Sequence, residues 1–419
     1  MNENGIVLTP ERKIPSRRAF HWPSFLMVVL TFFSLLGLFG GAVAMLFGGM
    51  VSLFDVYTNP YDTASLFSYT AAGILLGVLL VPTLVLNIQR LSGKPVTSRL
   101  LTGRLNKLPL WMLLAAYVLV IAAGTFLIRF EDWLWMTMPL INVFSLALPV
   151  LIFAVLGLRK LRGGSIQTVW SAFSVSLVFS PAVIFIIEII GIIASLIVFW
   201  QIGDAWFPEQ FGPIIETFMR LGEGTPTEIE NAVQQLLQKK EVLWMVFAFL
   251  SIFVPIIEEL LKPAALLLRL RRPITPQEGW VLGLLGGAGF GLLENLGNVT
   301  IMEDWTFVTV ARFGATALHM FNTGLIGYTY ALARNKKRYL PLVLAVPAAF
   351  IIHGAWNGII IFANIGALDM GDVRWPVGYT AALVGLALVL ISGIFLMNRK
   401  LWPDADSVIP EISSESEIE

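Results

Sequence analysis

The sequence predicts an all-α, polytopic membrane protein of about ten transmembrane helices with both termini cytoplasmic. Composition is the first observation behind this: 57% of the 419 residues are apolar, 13% are charged, about half the usual quarter, and the mean hydropathy is +0.78. The second is length, because stretches of the roughly 20 apolar residues needed to cross the hydrocarbon core recur about ten times. The third is charge sorting. Of the 28 Lys and Arg, 21 fall in the N-terminal arm, in alternate loops (90–107, 159–162, 269–272, 334–338) or just after the last helix. The other loops hold Arg129, Arg220, Lys239, Lys240, Arg312 and Arg374, and Lys262 lies inside a span. By the positive-inside rule this places both termini inside and makes the number of spans even.

The chain divides in order. Residues 1–24 form a cytoplasmic arm with Arg12, Lys13, Arg17 and Arg18. Five accessory spans fill 25–201, near 25–53, 68–89, 108–128, 137–158 and 169–201. The first contains Ala42-Val43-Ala44, but its apolar run far exceeds the 7–15 residues of a signal peptide, so it reads as an uncleaved anchor. An acidic outer loop covers 202–241. Its 227–241 part sets Ile229, Val233, Leu236 and Leu237 among charges, as in an amphipathic helix lying on the outer surface. Four spans near 242–268, 279–301, 307–333 and 340–363 make a core over 242–365. The last span, near 377–397, lies in 366–402. The acidic, serine-rich tail 403–419 reads as disordered. The formal net charge is zero, and nucleic acid is not an expected partner. No cysteine is present, which excludes disulfides, thiolate ligands and a cysteine nucleophile.

Ionisable groups deep in a bilayer cost several kcal/mol unless paired or hydrated, so they mark a functional site. The sixth span carries Glu258 and Glu259, with Lys262 four and three residues on, so both carboxylates reach one ammonium. Two adjacent carboxylates do not both ionise easily in low dielectric, and the pair therefore supplies an acid and a base in one place. Pro255 and Pro263 bracket it and predict a bent helix, with the Glu259 carbonyl left without its usual donor. In the seventh span Gly283, Gly287 and Gly291 form a small-residue stripe that Glu294 continues, beside Asn295. In the eighth, Ala315, His319, Thr323 and Gly327 share a face, with Asn322 one step aside. His353 and Asn357 share a face of the ninth. Glu188, in the fifth span, fits none of these patterns.

Four segments, in order on successive helices, carry a resemblance. Glu258-Glu259-Leu-Leu-Lys262 fits EExxK and Phe290-Gly-Leu-Leu-Glu294-Asn295 fits FxxxEN. Ala317-Leu-His319-Met-Phe with Gly327-Tyr328 resembles a histidine motif, and His353-Gly-Ala-Trp-Asn357 resembles HGxYD. Together, over about residues 240–365, they resemble the PrsW family of intramembrane proteases, distantly similar to the CAAX-endopeptidase and ABI group. Asn357 departs from the aspartate common in that family, which suits an oxyanion or positioning role.

The resemblance implies an intramembrane endopeptidase of a prokaryotic cell membrane. Its implied substrate is a single-pass membrane protein such as an anti-sigma factor. Glu258 or Glu259 would activate water, Glu294 and His319 would help to hold it, and His353 with Asn357 would face the oxyanion. Lys262, Asn295 and Asn322 would support them. Glu294, His319 and His353 equally make a zinc set with an open position for water. Two further readings stand beside this one: a proton-coupled secondary transporter, and a non-catalytic membrane scaffold in which the Glu–Lys pair only locks helices.

Overall fold

The computed structural model describes residues 20–402, except 56–57, 95–104, 106, 162–163, 207–208, 210–211, 215, 218–225, 238, 270–272, 298–300, 302–304 and 370–375. Most of the N-terminal arm, much of the outer loop and the acidic tail therefore lie outside the described residues. Everything described is helix, turn or irregular chain. The first four helices are α1 (Trp22–Ser52), α2 (Pro60–Leu91), α3 (Leu110–Leu127) and α4 (Leu134–Leu158). The fifth span is α5 (Ile166–Ser174), a π-turn (Val175–Phe179) and α6 (Ser180–Trp206). A loop helix, α7 (Pro226–Leu237), leads into α8 (Lys240–Ala248), a second π-turn (Phe249–Phe253), α9 (Val254–Leu261) and a 3₁₀ segment (Lys262–Arg269). Then come α10 (Pro276–Gly297), α11 (Trp305–Lys336), α12 (Leu340–Asp369) and α13 (Val377–Lys400).

Among the described residues, eight helical stretches are long and apolar enough to cross a membrane. The other two expected spans, α10 and α11, have 22 and 32 residues but are more polar and glycine-rich. They pack against each other in the middle of the molecule, and almost every residue of α10 from Gly279 to Leu292 is buried. Helices that other helices shield from lipid do not need continuous apolar side chains. The outer helices show the opposite pattern: Phe185, Ile186, Ile190 and Ile193 of α6 are exposed, as a lipid-facing surface requires.

The second helix begins at Pro60, earlier than the expected residue 68. Asn59 caps it by accepting from Tyr61 N at 3.0 Å, and the hydroxyls of Ser65 and Ser68 bond back to the carbonyls of Tyr61 and Ala64 at 2.8 Å. The polar residues that hid this start from a hydropathy reading are thus satisfied inside the helix. Buried polar contacts also fasten the outer layer to the core. Thr83 Oγ1 lies 2.6 Å from Ser174 Oγ, and Gln167 Nε2 donates to Asn87 Oδ1 at 2.8 Å and to Ser24 Oγ at 3.1 Å. These bonds join α1, α2 and α5, the kind of interhelical link that holds where lipid competes for apolar contact. On the loop side, Leu236 of α7 packs with Ile214 and Val242.

The α10–α11 contact has no side chains at its centre. A Cβ added at Gly279, Gly283 or Gly287 would collide with the carbonyls of Gly327, Thr323 and His319 respectively. One turn on, at Gly291, the nearest neighbour is instead the His319 ring, its Cδ2 3.3 Å from where a Cβ would stand. The small-residue stripe therefore brings two backbones together and then opens just enough to admit an imidazole. The N-terminus of α10 is fixed by a capping box: Glu278 N donates to Thr275 Oγ1 at 3.1 Å, and Thr275 N to Glu278 Oε2 at 3.0 Å.

Candidate active site

Proline chemistry shapes the sixth span. Pro255 has no N–H, and the helix before it widens so that Val254 N bonds Phe249 O, five residues back. This strands the Leu250 carbonyl, because its donor four residues on is already used and the one five residues on is proline. Asn357 Nδ2 donates to it at 2.8 Å. Gly354, one turn earlier on α12, lets that helix reach the Ser251 carbonyl. After Pro263 the chain tightens to 3₁₀, and the Leu261 carbonyl accepts from Ser180 Oγ of α6 at 2.7 Å. Glu258 and Glu259 thus sit on the two regular turns of α9, between two irregular segments, and Lys262 opens the second of these.

Lys262 is completely buried. Its Nζ lies 2.6 Å from Glu258 Oε2, 2.9 Å from Glu259 Oε1 and 2.8 Å from His319 Nδ1, with the Phe290 ring 4.2 Å away. All three ammonium hydrogens have acceptors. The histidine must accept through Nδ1, which puts its proton on Nε2, 2.5 Å from Glu294 Oε2. Glu294 Oε1 in turn accepts from Arg312 Nη1 at 2.9 Å. On the other side, His353 Nδ1 lies 2.9 Å from Glu259 Oε1, to which it donates, and Nε2 lies 3.8 Å from Glu258 Oε2. The two imidazoles meet edge to face with ring centres 5.3 Å apart.

All five sequence-derived candidates, Glu258, Glu259, Glu294, His319 and His353, therefore join one network with Lys262. The supporting asparagines lie around it as ties between helices. Asn295 Nδ2 donates to Thr316 Oγ1 at 2.8 Å and Asn322 Nδ2 to the Ala349 carbonyl at 3.1 Å, while Asn357 serves the π-turn. Charge pattern alone groups Arg312 with the outer loops. It stands in α11, seven residues before His319 and so on the same face, and that spacing was the available signal. Glu188 of α6 lies within electrostatic reach of Glu258, Glu294 and Lys262, and its buried Oε1 has no hydrogen-bond partner among the described residues.

Ligand atoms of Glu258, His319 and His353 all lie within 4.8 Å of one another, and all three residues are buried. Glu294 touches His319, but the compact trio contains Glu258 in its place. Two imidazoles and a carboxylate are a common catalytic zinc set. Glu259 accepts from the far nitrogen of His353, the way carboxylates fix the rings of metal-binding histidines. The donor set fits a divalent cation, with Lys262 as the group that must yield, since its ammonium already bridges Glu258 and His319.

No curated protein and no solved structure matches this chain. A family model described as PrsW family intramembrane metalloprotease matches residues 166–392, more than half of the chain. The match starts at the fifth span and ends in α13, beyond the 240–365 over which the motifs are read, and it takes in Glu188 and both π-turns. With its ordered motifs on packed, buried helices, this multi-pass membrane protein belongs to the PrsW family of intramembrane metalloproteases.

Proposed function

We propose that this chain cuts a peptide bond in single-pass membrane proteins, an anti-sigma factor being the family-derived example. In this reading it does so from ten spans in a prokaryotic cell membrane, with both termini in the cytoplasm. The observation that carries the reading is the Glu258, His319 and His353 trio within 4.8 Å, with Glu259 orienting His353. Glu258, His319 and His353 would hold a divalent cation such as zinc, which would supply Lewis acidity at the site.

The chain's own groups do the rest. Glu294 takes the proton of the attacking water, because its side chain is 28% exposed beside His319, whereas the Glu259 side chain is 0% exposed. This moves the base from the Glu258–Glu259 pair, where the sequence reading put it. The Arg312 guanidinium fixes Glu294 and offers its remaining donors to the oxyanion. Asn357 is committed to Leu250 and takes no part in that.

The test compares new N-termini in membranes of cells carrying the intact chain, Glu294→Gln or Glu258→Gln, together with metal content of the purified proteins. The reading expects cleavage to vanish in both variants and metal to be lost only from Glu258→Gln. Solute flux without cleavage would establish the carrier reading, and unchanged profiles in all three would establish the scaffold.

A further inference from the structure

Glu188 is a carboxyl inside a span that the proposed chemistry leaves unused, and an ionisable group at such depth is costly enough to call for a role. It stands in α6, whose exposed Phe185, Ile186 and Ile190 face lipid. The inward stripe of the same helix runs through Ser180, Ile184, Glu188 and Gly191, at helical spacing. Two contacts fix how that stripe lies on the sixth span. Ser180 Oγ donates to the Leu261 carbonyl at the end of α9, and Gly191 leaves no room for a Cβ beside the ring of Phe253, just before α9.

Glu188 lies between these contacts and so beside α9 itself. From there it is within electrostatic reach of Glu258 on α9, Glu294 on α10 and Lys262. Its Oε1 is shut off from solvent and has no hydrogen-bond partner among the described residues. It is therefore not a tie between helices as Asn295 and Asn322 are, and the compact trio of ligand atoms forms without it.

A peptide bond inside a helix is walled in by the neighbouring turns, so a single-pass substrate must unwind where it is cut. Unwinding leaves the first N–H groups of the half that follows without acceptors, as at any helix N-terminus. In the bilayer each N–H left alone is costly. Glu188 offers the converse, an acceptor oxygen without a donor, at the lipid-side margin of the site. We propose that Glu188 holds the substrate, its carboxyl oxygen accepting from freed backbone N–H groups just after the scissile bond, as an acidic N-cap does. This rests on the protease reading and adds what is recognised: opened backbone in place of a particular side chain. The enzyme thereby selects membrane helices that unwind easily.

The probe is a synthetic single-span peptide of Leu and Ala, about 25 residues long, with terminal lysines, a central Gly-Gly pair and a fluorophore. Further versions carry an ester in place of one amide, at each position in turn of the first turn after that pair, which removes one N–H. Anisotropy in micelles reads their binding to the full chain carrying Glu294→Gln. At one position at least, the ester should bind about tenfold more weakly than the amide. Adding Glu188→Leu should weaken the amide peptide about tenfold and make the two bind alike, with metal content and thermal midpoint held. Adding Glu188→Gln, which keeps an acceptor, should restore most of the affinity and of the preference for amide. A preference that survives Glu188→Leu overturns the proposal, as do equal binding of amide and ester peptides before that change and a probe that does not bind. Loss of turnover on Glu188→Gln with Glu294 intact and binding kept also overturns it, and makes the group a proton donor to the leaving amine. Binding through Glu188 of a probe that the intact chain never cuts removes the protease reading alone.

Discussion

Lys262 Nζ and His319 Nδ1 lie 2.8 Å apart, an ammonium against an imidazole, fully buried. The contact is favourable only because the ring accepts, and it holds the ring in the one tautomer that presents N–H to Glu294. A single lysine thus sets the proton inventory of a site built from four helices.

Removing that lysine leaves two carboxylates without their buried counter-ion. Lys262→Met is expected to destabilise the protein by about 3–5 kcal/mol, and Lys262→Arg not to rescue it, because a side chain with no exposure has no room for a larger fork. Chemical unfolding in detergent micelles reads this directly. A cost below about 1 kcal/mol would mean that the pair is not holding the helices.

Glu259 and Glu294 should separate cleanly. Glu259→Gln weakens the hold on His353 and is expected to lower zinc affinity about 10–100-fold. Glu294→Gln is expected to leave zinc affinity within about threefold while slowing cleavage about 10²–10⁴-fold. Competition with a chromogenic chelator measures the first, and a reconstituted cleavage assay the second. The reverse pattern would exchange their roles.

The α10 glycines differ in what they face. Gly283→Ala and Gly287→Ala drive a methyl into α11 backbone and should each cost about 1–3 kcal/mol in thermal or chemical unfolding. Gly291→Ala meets only the edge of His319, so its expected effect is a drop in turnover with stability nearly unchanged. Equal destabilisation at all three positions would contradict the opening of the stripe at Gly291.

Asn357→Asp should not be neutral here. The position donates to the Leu250 carbonyl, and a carboxylate would set acceptor against acceptor at a cost of about 1–3 kcal/mol. Zinc stoichiometry should be unchanged. If the aspartate variant were equally stable and more active, Asn357 would belong to the reacting group of residues after all.

Much of this was legible in the sequence. Helical spacing placed Glu258, Glu259 and Lys262 within mutual reach, and the glycine steps pointed Glu294 into a helix contact, because both are local consequences of 3.6 residues per turn. Less local features were not. Pro255 announced a disturbed helix, but that the disturbance is a widened turn whose stray carbonyl recruits Asn357 from a helix about a hundred residues away follows only from tertiary packing. Arg312 counts with the loop charges although it lies inside the span expected near 307–333, and its pairing with Glu294 follows only from how α10 and α11 pack. The choice of Glu258 over Glu294 as companion to the two histidines depends on rotamers, which spacing does not determine.

Backbone contact between α10 and α11 also bears on how a protein chain gets in. Two helices touching carbonyl to glycine over about two turns have no compliant layer between them, which couples them as one unit carrying Glu294, Arg312 and His319. The opposite wall, α9 and α12, brings Glu258, Glu259 and His353 and rests on a widened turn whose freed carbonyl is held only by the Asn357 side chain. A substrate entering sideways from the lipid would therefore part the site along the line between the carboxylate pair and His319, and closing that seam would assemble the metal ligands and the cleavage geometry in one movement.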